Sequence, residues 1–253
     1  DLHLSIRRQR QMCIRDSKKA IMKKVLYVLH QKTSVAGDVG NKFKNRGFSA
    51  DIIRPPLGDI LPTDLTPYSA IVIFGGPMSV NDDEQFIRDE INWMKQIIES
   101  NIPFLGICLG AQILAKYLGC DVVKNKDDLA EIGFYETEPV GEGDKIFKKQ
   151  NIFYQFHTEG FEIPSGCELL ARGDFFKNQA FKYQNCYALQ FHPEVNFLLH
   201  LRWIFLVLKK KPTVLFHKGS QNLFYQLFLR LKYNKSISLW LDSFLDNYLL
   251  AQK

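Results

Sequence analysis

Cys108 lies between two glycines in Gly106-Ile107-Cys108-Leu109-Gly110, with an apolar strand-like run before it and a helix-like run from Ala111 after it. A cysteine in such a strand–turn–helix is a nucleophile elbow, with sulfur where many hydrolases carry a serine hydroxyl. Glycines at 106 and 110 permit a sharp backbone turn and remove side chains that would block a substrate. The sulfur then stands at a helix N-terminus, whose dipole and free N–H groups favour a thiolate nucleophile. It needs a base to take and return a proton, and the base needs a partner to hold its orientation. Gln190-Phe191-His192-Pro193-Glu194-Val195 offers both, provided the turn at Pro193 folds Glu194 back towards His192. Phe74-Gly75-Gly76-Pro77-Met78-Ser79 is a Gly-rich turn whose exposed N–H groups, with that of Leu109, could stabilise an oxyanion. These parts together describe acyl transfer through a thioester. An α/β-hydrolase with a cysteine nucleophile usually has its acid between nucleophile and histidine, whereas Glu194 follows His192.

The elements that must position these groups can be read from periodicity. Residues 25–30, 50–54 and 70–74 are β-rich apolar runs, and 39–45 and 86–100 carry apolar residues at helical spacing. Strands alternating with helices predict an α/β fold with a mostly parallel central sheet, helices on both faces, and ligands at the carboxyl ends of the strands. After Gly119 come shorter β-rich segments, at 121–123, 131–136, 152–156, 180–183 and 187–191. These suit completion of the sheet and a small antiparallel flanking piece. From Leu198 onward the chain reads helical, with Trp240, Phe244 and Leu245 on an apolar face. A single domain is expected over 22–253, with a helical C-terminal appendage at 206–253.

The chain has 253 residues, 46% of them hydrophobic, enough for one large domain with a buried core. Its longest apolar stretch, 197–208, is interrupted by His200 and Arg202 and is too short to span a bilayer. Five cysteines without a pairing pattern, and no secretory signal, point to a cytoplasmic protein. Residues 1–21 look like an in-frame translation of a sequencing-library adapter, and a natural start is expected at Met22. Six basic and two acidic side chains precede Met22, so from there on the net charge falls from +6 to +2. The case for nucleic-acid binding falls with it. Cys120, Cys167 and Cys186 read as small apolar residues, His30, His200 and His217 as incidental, and Lys209-Lys210-Lys211 as a solvated loop. His157 fits a structural histidine or a substrate loop equally well. No residue spacing suggests a metal, and none calls for a cofactor.

Gly-Ile-Cys-Leu-Gly-Ala-Gln, Phe-Gly-Gly-Pro-Met-Ser-Val and Gln-Phe-His-Pro-Glu-Val strongly resemble the motifs of class I glutamine amidotransferases with a Cys-His-Glu triad. The segments 131–134, 156–161 and 178–181 resemble the free-standing, GMP-synthase-like branch. The resemblance implies Cys108 as nucleophile, His192 as base and acid, and Glu194 as the residue orienting His192. It implies an oxyanion hole from the N–H groups of Gly76 and Leu109, and Gln112 as a holder of the glutamine head group. The His157-Thr158-Glu159 loop would lie near the α-amino and α-carboxylate groups of the substrate. Many relatives read His-Gly-Asp there, so Thr158 and Glu159 put the particular γ-glutamyl substrate in question. The implied reaction releases glutamate and ammonia from glutamine for a synthetase partner. No Ser-Gly-Gly-x-Asp-Ser loop or Walker P-loop appears in this chain to aminate an acceptor. A γ-glutamyl peptidase with the same triad, or a pseudoenzyme that regulates a partner, are the alternatives.

Overall fold

A computed structural model describes residues 23–251; the adapter-like segment, with Cys13, lies outside them. An eight-stranded sheet runs β2 (Ser49–Ile53), β1 (Lys24–Val28), β3 (Tyr68–Ile73), β4 (Phe104–Ile107), β12 (Cys186–Leu189), β11 (Ala180–Tyr183), β10 (Glu168–Arg172), β7 (Glu138–Pro139). The first five strands are parallel and the last three antiparallel. β4 and β12 are buried along their whole length, the pattern of central strands covered on both faces. Two further pairs, β5 (Val122–Lys124) with β9 (Glu159–Phe161) and β6 (Glu131–Glu136) with β8 (Ile152–His157), form the antiparallel flanking pieces.

Side-chain alternation divides the core. Leu26, Val28, Ile71 and Ile73 face a layer made by α2 (Gln85–Ser100) and α3 (Leu109–Tyr117). Val25, Tyr27, Ala70 and Val72 face α1 (Gly37–Asn45) and the C-terminal helices. A short α4 (Gly143–Phe147) packs on the antiparallel strands β7 and β10, and α5 (Phe197–Lys210) packs on the C-terminal helix.

The C-terminal region is helical, as the pattern predicts, yet it is no appendage. α6 (Leu223–Phe244), continued by a π turn at Leu245–Leu249, buries Ile237, Trp240, Leu241, Phe244, Leu245 and Leu249 in the main core. Trp240 stacks on Phe147 and Phe244, and its indole N–H donates to the Ile146 carbonyl at 2.9 Å. Each such buried side chain contributes about 2–3 kcal/mol, so the helix is part of the domain's stability. Lys42 of α1 and Arg46, just past its end, tie it down through ion pairs to Asp242 and Asp246. A helix of mixed surface looks peripheral in sequence because its buried stripe only finds the sheet in three dimensions.

Candidate active site

β4 and α3 are separated by one residue, Cys108, which therefore makes the whole turn. Its backbone adopts φ 51°, ψ −104°, a region L-residues rarely occupy. Two hydrogen bonds hold it there: its N–H donates to Leu189 O at 2.8 Å, and its carbonyl accepts from Gln112 N at 3.0 Å. The flanking glycines do not take the turn themselves. A side chain at Gly106 would meet the Gly110 backbone at 2.5 Å, and one at Gly110 would overlap the Ile73 carbonyl. They let helix and strands approach, and the strain falls on the cysteine, buried to 6% exposure.

β12 runs on through Gln190 and Phe191 to His192, whose N–H donates to Tyr154 O at 2.8 Å. The imidazole is 3% exposed; its Nδ1 donates to Glu194 Oε1 at 2.8 Å, and its edge meets Trp203. Nε2 has no hydrogen-bond partner among the described residues, and the Cys108 sulfur is close enough to act on the ring. Burial alone would depress the His192 pKa, but the Glu194 carboxylate and Cys108 outweigh it and raise it to about 10. The Glu194 carbonyl in turn accepts from Asp38 N at 2.8 Å, seating the Pro193 turn on the start of α1.

The Gly75–Gly76 turn leaves β3 beside this pair. A methyl group on Gly75 would lie 2.8 Å from His192 Cε1 and 3.3 Å from Cys108 Cβ, so only glycine fits. The N–H groups of Gly76 and Leu109 donate to no other group among the described residues. A cavity of about 240 Å³ opens here, walled by Cys108, His192, Gly75, Gly76, Phe156 and Trp203. Lys209 and Lys210 close α5 instead of forming a loop, and Lys210 and Lys211 reach the cavity's lining.

Gln112, Thr158 and Glu159 come together in a neighbouring block and do not line that cavity. Gln112 Nε2 donates to Glu159 O at 3.1 Å and to Gln190 Oε1 at 3.3 Å, while Ser79 Oγ donates to the Glu159 carboxylate at 2.7 Å. Thr158 is half-buried beside them. His157 lies behind, with Nδ1 on Glu159 O at 2.9 Å and Nε2 on Glu131 Oε2 at 3.0 Å and Gln155 Oε1 at 3.1 Å. Gln179 bridges Glu131 and Gln155 at 2.7 Å to each. Sequence reasoning missed Glu131, Gln155, Gln179 and Trp203 as supports of the site. For Glu131 and Gln155, a buried polar residue inside an otherwise apolar strand segment was the available signal. Among the described residues no group of three or more His, Cys, Asp or Glu could hold a metal ion, and no helix is long and apolar enough to cross a membrane.

A strained cysteine at a strand–helix turn of a doubly wound sheet, beside a carboxylate-bound histidine, is the arrangement expected of a cysteine hydrolase. The family model for class-I glutamine amidotransferases matches residues 28–208, and the chain belongs to that family. Its sequence is 38% identical over 132 residues to the glutamine-hydrolysing GMP synthase of Brachyspira hyodysenteriae, covering 50% of this chain and 24% of that one. It is 35% identical over 133 residues to one subunit of the glutamine-hydrolysing GMP synthase of Pyrococcus abyssi, covering 50% of this chain and 66% of that one. The matches thus span less than two thirds of these relatives' own lengths. A glutamine amidotransferase from Thermotoga maritima superposes with a TM-score of 0.80 at 29% identity, over 90% of this chain and 98% of its own.

Proposed function

We propose that this protein hydrolyses the γ-amide of glutamine at Cys108 and supplies the ammonia to a synthetase partner. The observation carrying this reading is His192, bound at Nδ1 by Glu194 with Nε2 unengaged among the described residues, beside Cys108 and two free N–H groups. The Cys108 thiolate attacks the γ-carbonyl carbon, and the N–H groups of Gly76 and Leu109 take the charge developing on its oxygen. His192, held as imidazolium by Glu194, gives its proton to the departing nitrogen, and ammonia leaves as the thioester forms. Water then gives a proton to His192 and attacks the thioester; collapse of that adduct frees glutamate and returns the sulfur. Gln112, Thr158 and Glu159 do not line the cavity at Cys108, and we assign them to the block that backs the γ-glutamyl group instead of to direct contact with it. No cofactor enters any step. Similarity to GMP synthases supports a synthetase as the ammonia acceptor.

The test is glutamate and ammonia release from glutamine by wild type and Cys108→Ala, with γ-glutamyl dipeptides in parallel. Wild type should turn over glutamine at least about tenfold faster than the dipeptides, and the variant neither. Activity surviving in Cys108→Ala would refute the reading, and a preference for dipeptides would replace it with a γ-glutamyl peptidase.

A further inference from the structure

Behind the Gly75–Gly76 turn, on the side away from the cavity, lies a buried pair that the chemistry above does not use. His30, two residues past the end of β1, is 2% exposed, and Glu90 of α2 is fully buried. His30 Nε2 lies 3.1 Å from Glu90 Oε2, and Nδ1 lies 3.3 Å from the Gly75 carbonyl oxygen. Both ring nitrogens therefore face oxygen acceptors. Satisfying both contacts requires a proton on Nδ1 and another on the Nε2–Oε2 axis. Glu90 occupies the same apolar helix face as Ile87, Met94 and Ile97, and its second oxygen has no partner among the described residues. A carboxylate in such a stripe costs stability, so packing does not account for it.

We propose that His30 and Glu90 are positioning residues that set the orientation of the oxyanion-binding peptide between Gly75 and Gly76. The peptide unit is planar and trans, so its C=O and N–H point in opposite directions. Holding the Gly75 carbonyl on His30 turns the Gly76 N–H away from His30. Gly75 and Gly76 line the cavity and His30 does not, so that direction is the cavity side. A methyl group on Gly76 would come within 2.9 Å of His30 Cβ, so the turn rests directly on this residue. A glycine pair has little intrinsic preference between the two orientations of this peptide, and the external hydrogen bond supplies it. Glu90 holds the ring at Nε2, so that Nδ1 stays directed at the Gly75 carbonyl oxygen. This inference rests on the assignment of the Gly76 N–H to the oxyanion.

The experiment compares His30→Leu, His30→Asn and Glu90→Gln with wild type in three readouts. Loss of one oxyanion donor lowers turnover about 10²–10³-fold, so His30→Leu should reduce kcat for glutamine by that factor with KM within about twofold. His30→Asn, which restores a donor near the Nδ1 position, should recover at least about tenfold of it. Glu90→Gln should reduce kcat by on the order of tenfold, and covers the case in which His30→Leu does not fold. Alkylation of Cys108 by iodoacetamide is a direct displacement with no oxyanion, so it should stay within about twofold of wild type in all three. Crystal structures should show the Gly75–Gly76 peptide rotated in His30→Leu, or in Glu90→Gln should His30→Leu not fold. Unchanged kcat, alkylation falling in step with kcat, or an unrotated peptide would overturn the proposal. A wild type inactive on glutamine would instead overturn the function proposed above, and the peptide's orientation in these structures would still decide this one.

Discussion

His200 makes the stability of this domain sensitive to acid. Its side chain is fully buried on α5, 4.5 Å from the ring of Tyr154 and 6.1 Å from that of Phe134, centroid to centroid. Nε2 reaches Gln226 Oε1 at 3.4 Å, and Nδ1 has no partner among the described residues. Burial, and then the charge of Arg230 nearby, push its pKa down from 6.5 to about 4. Between those values the unfolded chain holds a proton that the folded chain refuses, so stability rises with pH across this window and falls as pH drops from 6.5 towards 4. A separation of that size removes about 2.5 kcal/mol between about pH 7 and pH 4.5, a large part of a typical domain's stability. The perturbation is His200→Asn, which does not titrate. Urea unfolding of both proteins at these two pH values isolates the effect, because the carboxylates titrate in each. Whatever its stability at neutral pH, the variant should lose about 2.5 kcal/mol less than wild type on acidification. Equal losses would show that His200 does not stay neutral in the folded state. Tyr154, whose carbonyl holds the His192 backbone at 2.8 Å, links this pocket to the site.

Three further outcomes follow from the geometry. Gly110→Ala places a methyl group in the Ile73 carbonyl and should destabilise the fold by about 2–3 kcal/mol, read as a lowered urea midpoint. Glu194→Gln removes the main charge that raises the His192 pKa, so ring titration by NMR should move down and turnover fall by at least about 10²-fold. A raised histidine pKa stabilises the fold fully below pH 6.5 and ceases to as pH rises through about 10, so the stability lost in Glu194→Gln should be largest below pH 6.5 and fade above it. Glu131→Leu strips the carboxylate from His157 and Gln179 and should cost about 3 kcal/mol, with KM for glutamine rising as Glu159 and Gln112 loosen; an unchanged KM would detach this network from substrate binding.

Much of the site was legible because its parts are local. A glycine-flanked cysteine between a strand and a helix, a Gly-Gly turn after a buried strand, and a histidine one residue from a glutamate each carry their chemistry within a few positions. That the sheet is mostly parallel was legible for the same reason, since a buried strand and an amphipathic helix announce themselves by period. The sequence alone thus determined the fold class and the strand–turn–helix around Cys108.

Only the tertiary structure decided what stands behind those residues. His30 and Glu90 are 60 positions apart, and nothing near either one marks it as more than a stray polar residue. Glu131 and His157 meet only because β6 and β8 pair in register, and α6 proves to be core only when Trp240 reaches Phe147. The division has a physical cause. Turn geometry is dictated by neighbouring residues, whereas the worth of a buried charge depends on which distant group the packing brings within hydrogen-bonding distance.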